Sequence, residues 1–333
     1  MVKIAINGFG RIGRSVLRAL IERNEKINVV AINDIHGIKD AEYSFKYDSI
    51  YGKFKGKIST KGNYLTINKR KILILSERDP EKLPWKKLNV DFVIESTGVF
   101  RDKSGAMKHL IAGAKKVIVT APMKNPGKDV LTLVPGVNNK KLKPSHKLIS
   151  VASCTTNATA PIAKVLNDNF GIKFALMSTV HGYTSSQSLV DSSNEKDPRR
   201  GRAAAINLIP TTTGASEAVT EALPELKGKI DGTAIRAPLP DGSIIDFVAE
   251  VKKPVTKEKV NSVFAKAAKS EMKGIIEYST EDLVSSDIIG NTHSAVFDSK
   301  MTQVEGNLVK VFAWYDNEFG YSNRVVDAVK MLK

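Results

Sequence analysis

Short apolar runs alternate with helix-like periods along the first 150 residues of the chain. The runs typical of buried strands cover residues 2–7, 27–33, 91–96, 116–120 and 147–151. Around them, residues 103–113 and the segments that end at Arg23 and Asn169 space their apolar positions about 3.6 residues apart, as amphipathic helices do. This alternation predicts an α/β fold with a Rossmann-type doubly wound parallel sheet and helices on both faces.

Two stretches interrupt this pattern. Residues 36–62 are rich in Tyr, Lys and Gly and have no clear period, which predicts an irregular insertion over the sheet edge. Residues 64–67 and 71–75 are predicted to pair as a hairpin around a turn at residues 68–70.

The pattern changes after Phe170. It predicts a long strand, then a polar loop, then more strands with few helices between them; these strands cover residues 173–181, 232–237, 244–251 and 308–314, and the loop covers residues 182–202. Few crossover helices favour antiparallel pairing. We therefore predict a second, α+β catalytic domain with a mostly antiparallel sheet over residues 154–316. The first domain covers residues 1–153, and a C-terminal helix at residues 317–333 returns to it.

A glycine motif directly follows the first predicted strand. Gly8, Gly10 and Gly13 match G-x-G-x-x-G between a strand and a helix, an arrangement that brings a dinucleotide pyrophosphate to a helix N-terminus. The second strand leads to Asp34, 21 residues beyond Gly13. A carboxylate there accepts the ribose hydroxyls of NAD and repels the extra phosphate of NADP, so the motif predicts NAD. The alternative for Asp34 is a cap of the following turn.

The single cysteine, Cys154, stands between a predicted strand and a predicted helix. Free backbone N–H groups and the helix dipole are expected to lower the pKa of a thiol at that position, as a nucleophile requires. A lone cysteine is more often a small buried apolar residue. Its polar neighbours suit an oxygen-rich ligand better than a core and favour a functional thiol; they are Ser153, Thr155, Thr156 and Asn157.

Composition and charge narrow the class of protein. The 333 residues are 42% hydrophobic and 26% charged, as in ordinary globular proteins. One cysteine, no apolar run long enough for a membrane helix and no signal-peptide pattern predict a cytoplasmic enzyme without membrane contact. Residues 1–150 carry an excess of 17 positive charges, whereas the rest carries one net negative charge. This excess favours anionic ligands, with nucleic acid bound only weakly and without sequence preference, or else forms a solvated lysine-rich face.

Four segments together carry a resemblance to a known family. They are residues 6–14, 153–157, 181–184 and 314–322, and the most specific of them is Ser153-Cys154-Thr155-Thr156-Asn157. With these segments, the chain resembles the phosphorylating glyceraldehyde-3-phosphate dehydrogenases from residue 2 to about residue 330. The resemblance implies a homotetramer, with the loop at residues 182–202 at a subunit contact.

The resemblance also implies a reaction and roles for individual residues. Cys154 would attack the aldehyde of glyceraldehyde 3-phosphate, a hydride would pass to NAD, and inorganic phosphate would cleave the resulting thioester to 1,3-bisphosphoglycerate. His181 would move the proton and, as an imidazolium, would lower the pKa of the thiol further. The implied ligands of the substrate and phosphate are Ser153, Thr155, Thr184, Arg200 (less favoured, Arg202), Thr213, Gly214 and Arg236. The implied cofactor residues are Gly8, Gly10, Arg11, Ile12, Gly13, Asp34, Arg78, Thr120 and Asn317. No metal is expected, because no pair among the five histidines has metal-ligand spacing.

Two alternatives stay open from the sequence. An erythrose-4-phosphate dehydrogenase would use the same cysteine and histidine but would release its acyl group to water. A non-catalytic NAD or nucleic-acid binder would use the basic first half, but it leaves Cys154 and His181 unexplained. In addition, Ser192 and Ser193 resemble forms that accept NADP as well as NAD, and Glu217 stands where many relatives have lysine.

Overall fold

The structure is a computed structural model that describes residues 1–127 and 129–332. The chain folds into two compact units. The first unit comprises residues 1–133, residues 140–152 and the chain from Ser322 onward. The second unit comprises residues 134–139 and 153–321.

Sixteen strands and eight helices lie in the described part of the chain. The strands are β1 (Val2–Asn7), β2 (Ile27–Asn33), β3 (Ile58–Lys61), β4 (Tyr64–Ile67), β5 (Arg70–Leu75), β6 (Phe92–Glu95), β7 (Lys116–Val119), β8 (Leu131–Thr132), β9 (Leu148–Ser150), β10 (Ile172–Gly182), β11 (Ile209–Thr212), β12 (Ile230–Ala237), β13 (Ser243–Val251), β14 (Ile276–Ser279), β15 (Ala295–Glu305) and β16 (Leu308–Tyr315). The helices are α1 (Arg11–Glu22), α2 (Gly37–Lys46), α3 (Trp85–Leu88), α4 (Lys103–Ile111), α5 (Cys154–Phe170), α6 (Ala215–Ala222), α7 (Lys257–Lys269) and α8 (Phe319–Met331). None of these eight helices combines the length and the apolar character that crossing a bilayer would demand.

The first unit is built on a nine-stranded sheet in the order β3-β4-β5-β2-β1-β6-β7-β9-β8. Its strand pairs are parallel except at the β3-β4-β5 edge, where they are antiparallel. The central strands are mostly apolar and mostly buried, as expected for strands covered on both faces. The predicted doubly wound parallel sheet and the predicted hairpin, β4-β5, are therefore confirmed. Asn7 pairs with Asn33 on one side and with Glu95 on the other, so three polar side chains meet at the carboxyl edge of this sheet.

Residues 36–62 differ from the irregular insertion that the sequence predicted, because they contain α2 and β3. The helix has only two buried side chains, Ala41 and Phe45, which lie four positions apart and give too short an apolar stripe to recognise. The Phe45 ring packs against Phe9 and Phe54, at centroid distances of 5.9 and 4.9 Å. Aromatic packing therefore stabilises a helix whose own apolar pattern is weak.

Within the first unit, the C-terminal part of α8 is held to the segment that follows α1. The Nη2 atom of Arg23 lies 2.7 Å from Asp327 Oδ1, and Lys330 Nζ lies 2.8 Å from Glu25 Oε1. The C-terminal residues of the chain thus contact a segment about 300 positions earlier.

The second unit is built on a seven-stranded sheet in the order β11-β12-β10-β13-β16-β15-β14. Only the β10-β12 and β14-β15 pairs are parallel, which confirms the predicted mostly antiparallel sheet. Strand β15 was not predicted from the sequence. Its pairing with β16 is interrupted between Asp298 and Gln303, and this irregularity breaks the alternation that would mark a strand.

Candidate active site

The glycine turn after β1 has the geometry that a dinucleotide site requires. Gly8 has a φ of +90°, and a Cβ atom there would lie 2.6 Å from a backbone nitrogen. A Cβ at Gly13 would lie 2.2 Å from the carbonyl oxygen of Gly8, so α1 packs on this turn only with glycine. Gly10, the N-cap of α1, faces open space. An anion can approach there, because the first-turn N–H groups of a helix point toward its N-terminus and can donate to a ligand.

A cavity of ≈ 370 Å³ lies beside the glycine turn. Its walls include Asn7, Gly8, Gly10, Asn33, Asp34, His36, Glu77, Arg78 and Thr97. The Asp34 carboxylate at the end of β2 accepts the N–H of Phe9 at 2.7 Å. An open glycine turn, a carboxylate and a cavity of this size together fit an adenine dinucleotide. Thr120, predicted to lie along this pocket, is outside the cavity wall, and its hydroxyl donates to the Glu95 carbonyl at 3.1 Å.

A buried polar network links the ends of β1, β2 and β6 in the first unit. The indole Nε1 of Trp85 donates to His109 Nδ1 at 3.0 Å, and His109 Nε2 lies 3.0 Å from Glu95 Oε2. Because an indole N–H only donates, His109 Nδ1 must accept, and the Nε2 proton is donated to Glu95. Asn7 Nδ2 donates to the same carboxylate oxygen at 2.6 Å, and Asn33 Nδ2 donates to Asn7 Oδ1 at 2.7 Å. These five residues form the His109 network.

The cysteine in the second unit is the first residue of α5. Ala152, two positions earlier, has a φ of 51°, a left-handed conformation that is uncommon for alanine. The Ser153 hydroxyl caps the helix by accepting the N–H of Thr156 at 3.1 Å. The predicted helix is confirmed as α5, which ends at its C-cap, Gly171. Half-buried Cys154 therefore stands at a fixed, capped helix N-terminus.

His181, at the end of β10, faces the thiol. Its Nε2 atom lies 3.4 Å from Cys154 Sγ, and its Nδ1 atom lies 2.6 Å from the carbonyl oxygen of Gly182. The Arg236 guanidinium beside Nδ1 only donates and would favour a lone pair there, but the shorter contact, to the carbonyl, is satisfied only by the tautomer with its proton on Nδ1. The lone pair is then on Nε2 and points at the sulfur. This is the arrangement in which an imidazole can accept the proton of a thiol.

Burial controls the protonation of both groups. It raises the pKa of the Cys154 thiol, although Arg236 and the hydrogen bonds of Thr155 act to lower it. Burial, followed by the charge of Arg236, lowers the pKa of His181 to about 3. The prediction of a lowered thiol pKa beside an imidazolium is therefore wrong, because the neighbouring groups do not compensate for the loss of water. At neutral pH the pair consists of a thiol and a neutral imidazole.

A guanidinium group with an unused donor lies beside this pair. Arg236, on β12, places Nη1 2.8 Å from His181 Nδ1 and 3.2 Å from the Gly182 carbonyl oxygen, to which it donates. Its Nε atom is buried and has no hydrogen-bond partner among the residues that the structure describes. Burial lowers the pKa of Arg236, and the charge of Arg200 acts in the same direction. A buried cation with an unused donor favours an anionic ligand at this position.

The two candidate arginines of the long loop differ in their contacts. Arg200 Nε donates to Thr211 Oγ1 at 2.9 Å, and its Nη2 donates to the Thr212 carbonyl at 3.2 Å. Arg202 instead pairs with Asp191 at 3.0 Å, and both side chains are exposed. Arg200 lies close enough to Arg236 for its charge to lower the pKa of that guanidinium. Because Arg236 lies beside Cys154 and His181, this favours Arg200 over Arg202 as a residue of the site.

The remaining predicted phosphate ligands lie on short turns. Thr184 follows β10, and its hydroxyl lies 2.8 Å from Ser186 Oγ. The Thr213 hydroxyl accepts the N–H of Ala215 at 3.2 Å. Gly214 is the N-cap of α6, and a Cβ atom there would meet nothing within 4 Å. These groups offer hydroxyl and backbone donors of the kind that phosphate oxygens accept.

Tyr315, at the end of β16, was missed as a site residue. Its hydroxyl lies 3.0 Å from Thr155 Oγ1 and 2.8 Å from Thr179 Oγ1. Its ring packs edge-on against His181, with centroids 5.9 Å apart. Tyr315 belongs to the segment 314–322 that the sequence singled out, so that segment was the available signal.

Ser243, at the start of β13, was also missed. Its hydroxyl accepts the N–H of Gly182 at 3.1 Å and donates to Asn317 Oδ1 at 2.6 Å. The contact ties the residue after His181 to Asn317 and leaves the Asn317 amide N–H groups to donate elsewhere. No sequence motif marked this serine.

Two buried carboxyl groups, Asp241 and Asp316, lie close to these residues and form the aspartate pair. Burial raises the pKa of Asp241 to about 8, and the neighbouring Asp316 carboxyl is the next largest cause. Asp316 accepts the N–H groups of Gly290 at 2.7 Å and Phe319 at 2.6 Å. Asp241 therefore keeps its proton at neutral pH, and Asp316 fixes the turn that carries Asn317.

The fold and these contacts define a class of protein, a dinucleotide-dependent oxidoreductase with a candidate cysteine nucleophile. Two family models match the chain, "Glyceraldehyde 3-phosphate dehydrogenase, NAD binding domain" over residues 2–103 and "Glyceraldehyde 3-phosphate dehydrogenase, C-terminal domain" over residues 153–317. The chain belongs to the glyceraldehyde-3-phosphate dehydrogenase family and is an NAD-dependent dehydrogenase.

Curated relatives match almost the whole chain. The glyceraldehyde-3-phosphate dehydrogenase of Thermotoga maritima is 55% identical over 334 residues, which cover 100% of this chain and 99% of the relative. That of Geobacillus stearothermophilus is 52% identical, covering 98% of this chain and 96% of the relative. Glyceraldehyde-3-phosphate dehydrogenase 2 of Streptomyces avermitilis is 50% identical, covering 98% and 97%. Nothing in these similarities favours the erythrose-4-phosphate alternative.

Proposed function

We propose that this protein oxidises glyceraldehyde 3-phosphate with NAD and inorganic phosphate to 1,3-bisphosphoglycerate. One observation carries the proposal: Cys154 Sγ lies 3.4 Å from His181 Nε2, beside a guanidinium with a buried, unused donor. A nucleophile, a base and an anion site are the three groups that phosphorylating oxidation of a phosphorylated aldehyde needs. The names of the relatives support the same substrate.

The proposed reaction begins with proton transfer from the Cys154 thiol to His181 Nε2 as sulfur attacks the aldehyde carbon. The imidazolium returns this proton to the carbonyl oxygen, which gives a thiohemiacetal on Cys154. Neutral His181 then accepts the hydroxyl proton as hydride leaves the carbon, and a thioester forms. Phosphate attacks the thioester carbon and expels the thiolate, which takes back the proton held by His181, while the phosphate proton passes to water and the acyl phosphate is released.

The anion donors divide into two proposed groups. Arg236 and Thr184 would bind the phosphate of the substrate. Ser153, Thr213 and Gly214 would bind the attacking phosphate. Thr155 and Arg200 would line the pocket between them. The unused Nε donor of Arg236 supports its role most directly, because a phosphate oxygen would satisfy it.

NAD supplies the hydride acceptor. We propose that Gly8, Gly10, Arg11, Ile12 and Gly13 hold its pyrophosphate, that Asp34 holds the adenosine ribose, and that Arg78 and Thr120 lie along the cofactor. Asn317, whose Oδ1 is engaged by Ser243, would donate its amide to the nicotinamide carboxamide. In this scheme residues 1–153 and 317–333 are the NAD-binding domain and residues 154–316 the catalytic domain.

Assembly and location are also proposals. We expect a homotetramer in the cytoplasm, as the resemblance and the single cysteine suggest. The positive excess of residues 1–150 would bind nucleic acid only weakly and without sequence preference.

The test is NADH formation from glyceraldehyde 3-phosphate, NAD and phosphate, with the wild type beside Cys154→Ser. We expect phosphate-dependent turnover in the wild type and none above background in the variant. Trapping of a thioester from the wild type alone would support the role of the sulfur. No turnover by a wild type that still binds NAD would refute the proposal.

The same assay with erythrose 4-phosphate addresses the alternative function. A hydrolytic enzyme would turn over erythrose 4-phosphate without inorganic phosphate. The proposed function requires a preference for glyceraldehyde 3-phosphate and strict dependence on phosphate.

A further inference from the structure

His36 is hydrogen-bonded to Asp34, the carboxylate that is expected to bind the cofactor ribose. Asp34 Oδ1 accepts the backbone N–H of His36 at 3.0 Å and lies 2.8 Å from His36 Nδ1. Asp34 Oδ2 accepts the N–H of Phe9 at 2.7 Å. Because a carboxylate oxygen only accepts, His36 Nδ1 carries a proton in this contact, whether the ring is neutral or charged.

The contact leaves Asp34 with little capacity for a ribose. A carboxylate has about four acceptor positions, two on each oxygen. Both positions on Oδ1 are used by His36, and one of the two on Oδ2 is used by Phe9. A ribose 2′,3′-diol offers two donors, so it must share Asp34 with the imidazole or displace it. The side chain of His36 is 68% exposed and that of Asp34 only 14%, so the imidazole is the part of this pair that an incoming ligand meets first.

The charges around this cavity depend on His36. The cavity wall carries two carboxylates, Asp34 and Glu77, and one guanidinium, Arg78. Arg78 is exposed and makes no hydrogen bond to any residue between 1 and 127 or 129 and 332. The first turn of α2 adds Lys39 and Asp40, whose charges cancel. A neutral His36 thus leaves one net negative charge on the wall, and a protonated His36 leaves none.

An adenosine 2′-phosphate would respond directly to this difference. A phosphate monoester carries roughly −1.5 to −2 charges at neutral pH and is repelled by an unpaired carboxylate at the ribose site. An imidazolium in contact with Asp34 would neutralise that carboxylate and offer a charged donor, and Arg78 would offer a second one. Histidine is the side chain that gains its charge in the range just below neutral pH.

We propose that His36 is a specificity-determining residue that lets this site accept 2′-phosphorylated cofactors of the NADP class, increasingly so as the pH falls. The proposal rests on the proposed NAD site around Asp34 and extends it. His36 also precedes α2, but its ring makes no capping hydrogen bond to that helix. A purely structural His36 would affect ligands with and without the 2′-phosphate equally.

The test is calorimetric binding of two nucleotide fragments to the full-length protein from pH 5.5 to 8.5. Adenosine 2′,5′-bisphosphate probes the 2′-phosphate, and ADP-ribose probes the free diol. For the wild type, we expect the affinity for the bisphosphate relative to ADP-ribose to rise about tenfold as the pH falls, which is the effect of roughly one screened charge. The phosphate itself also gains a proton near pH 6, so each variant is compared with the wild type at the same pH.

Three variants test whether the charge of the His36 imidazole is responsible. His36→Gln keeps a hydrogen-bond donor without the charge, and we expect it to lose the relative gain at low pH. His36→Lys carries a permanent charge, and we expect it to bind the bisphosphate more tightly than the wild type does at pH 8.5 and about as tightly at pH 5.5. His146→Gln, which removes a histidine outside this cavity, should match the wild type.

The outcomes separate the two proposals. If His36→Gln and the wild type bind the bisphosphate equally at every pH, or if the wild type never binds it while binding ADP-ribose, His36 does not set selectivity and the NAD site stands. If ADP-ribose itself does not bind, the proposed NAD site fails, and the role of His36 fails with it.

Discussion

The molecule contains two buried histidines whose surroundings differ in kind. In the His109 network, each ring nitrogen has a complementary partner, the Trp85 indole on one side and the Glu95 carboxylate on the other. Asn7 Nδ2 also lies 3.4 Å from His109 Nε2, but it donates to Glu95 at the shorter distance of 2.6 Å. At His181, Nδ1 and the guanidinium of Arg236 both contact the carbonyl oxygen of Gly182, and Nε2 faces the Cys154 thiol.

The difference shows how one residue type serves structure in one unit and chemistry in the other. The Glu95 carboxylate is matched by donors on both oxygens, since Thr97 N–H donates to Oε1 at 2.9 Å. In the second unit a cation lies beside an imidazole, and two carboxyls lie beside each other. Unfavourable neighbours of this kind cost stability and are retained where ligands or protons must be exchanged.

The largest expected effect is the loss of the base. We expect His181→Asn to lower kcat about a thousandfold, because asparagine cannot accept the thiol proton, while NAD affinity stays the same. Steady-state kinetics and calorimetric titration with NAD measure the two quantities. A loss below tenfold would show that another group accepts the proton.

His181 should also make the wild type sensitive to acid. Its folded-state pKa of about 3 lies below the unfolded value, so the unfolded chain binds more protons between these values and stability falls as pH drops below about 6.5. Melting temperatures between pH 4 and 8 should decline less in His181→Asn. Parallel declines would argue against a neutral buried imidazole.

Breaking the His109 network should cost stability rather than chemistry. We expect His109→Leu to lower the free energy of unfolding by about 3 kcal/mol, because the Trp85 indole and the Glu95 carboxylate would each lose the hydrogen bond that they make to the imidazole. Urea titration followed by circular dichroism measures this change. His109→Gln is the matched control, since its amide can donate to Glu95 and accept from Trp85. If both variants unfold at the same urea concentration, hydrogen bonding is not what the histidine contributes.

The aspartate pair should make the stability of the folded protein decrease as the pH rises. The pKa of Asp241, about 8 when folded, lies above its ordinary value, so the contribution of Asp241 to stability falls as pH rises from about 4 to 8. Below about pH 6.5 this effect opposes that of His181. The slope is at most about 1.4 kcal/mol per pH unit. Asp241→Asn should flatten this slope between about pH 6.5 and 8, where His181 no longer opposes it, as read from melting temperatures in that range. An unchanged slope would mean that the pKa of Asp241 is not raised in the folded protein.

The smallest expected effect concerns Tyr315. Tyr315→Phe keeps the ring against His181 but removes the hydroxyl that Thr155 and Thr179 contact, so we expect a loss of about 1 kcal/mol in stability and less than tenfold in kcat. Exposed Tyr43→Phe should change neither. A thousandfold loss of kcat would instead make the tyrosine hydroxyl part of the chemistry.

The sequence predicted what depends on local pattern. The parallel strands follow from the apolar pattern. The glycine turn and the capped helix at Cys154 follow from residue types, glycine and serine, that favour such turns and caps. It did not reveal α2, whose two buried side chains depend on distant aromatic rings, or Ser243, whose role depends on pairing across the sheet. The error about the thiol had the same origin, because a local motif shows the helix dipole but not the burial that outweighs it.

Single Cys154 has a consequence for oxidative damage. Oxidation of its sulfur to a sulfenic acid could not be resolved by a second thiol in this sequence, since there is none. Recovery would require a thiol from another molecule, and without one the sulfur would pass to the irreversible sulfinic and sulfonic acids. The same uniqueness makes any thiol-selective label a one-to-one count of intact candidate active sites.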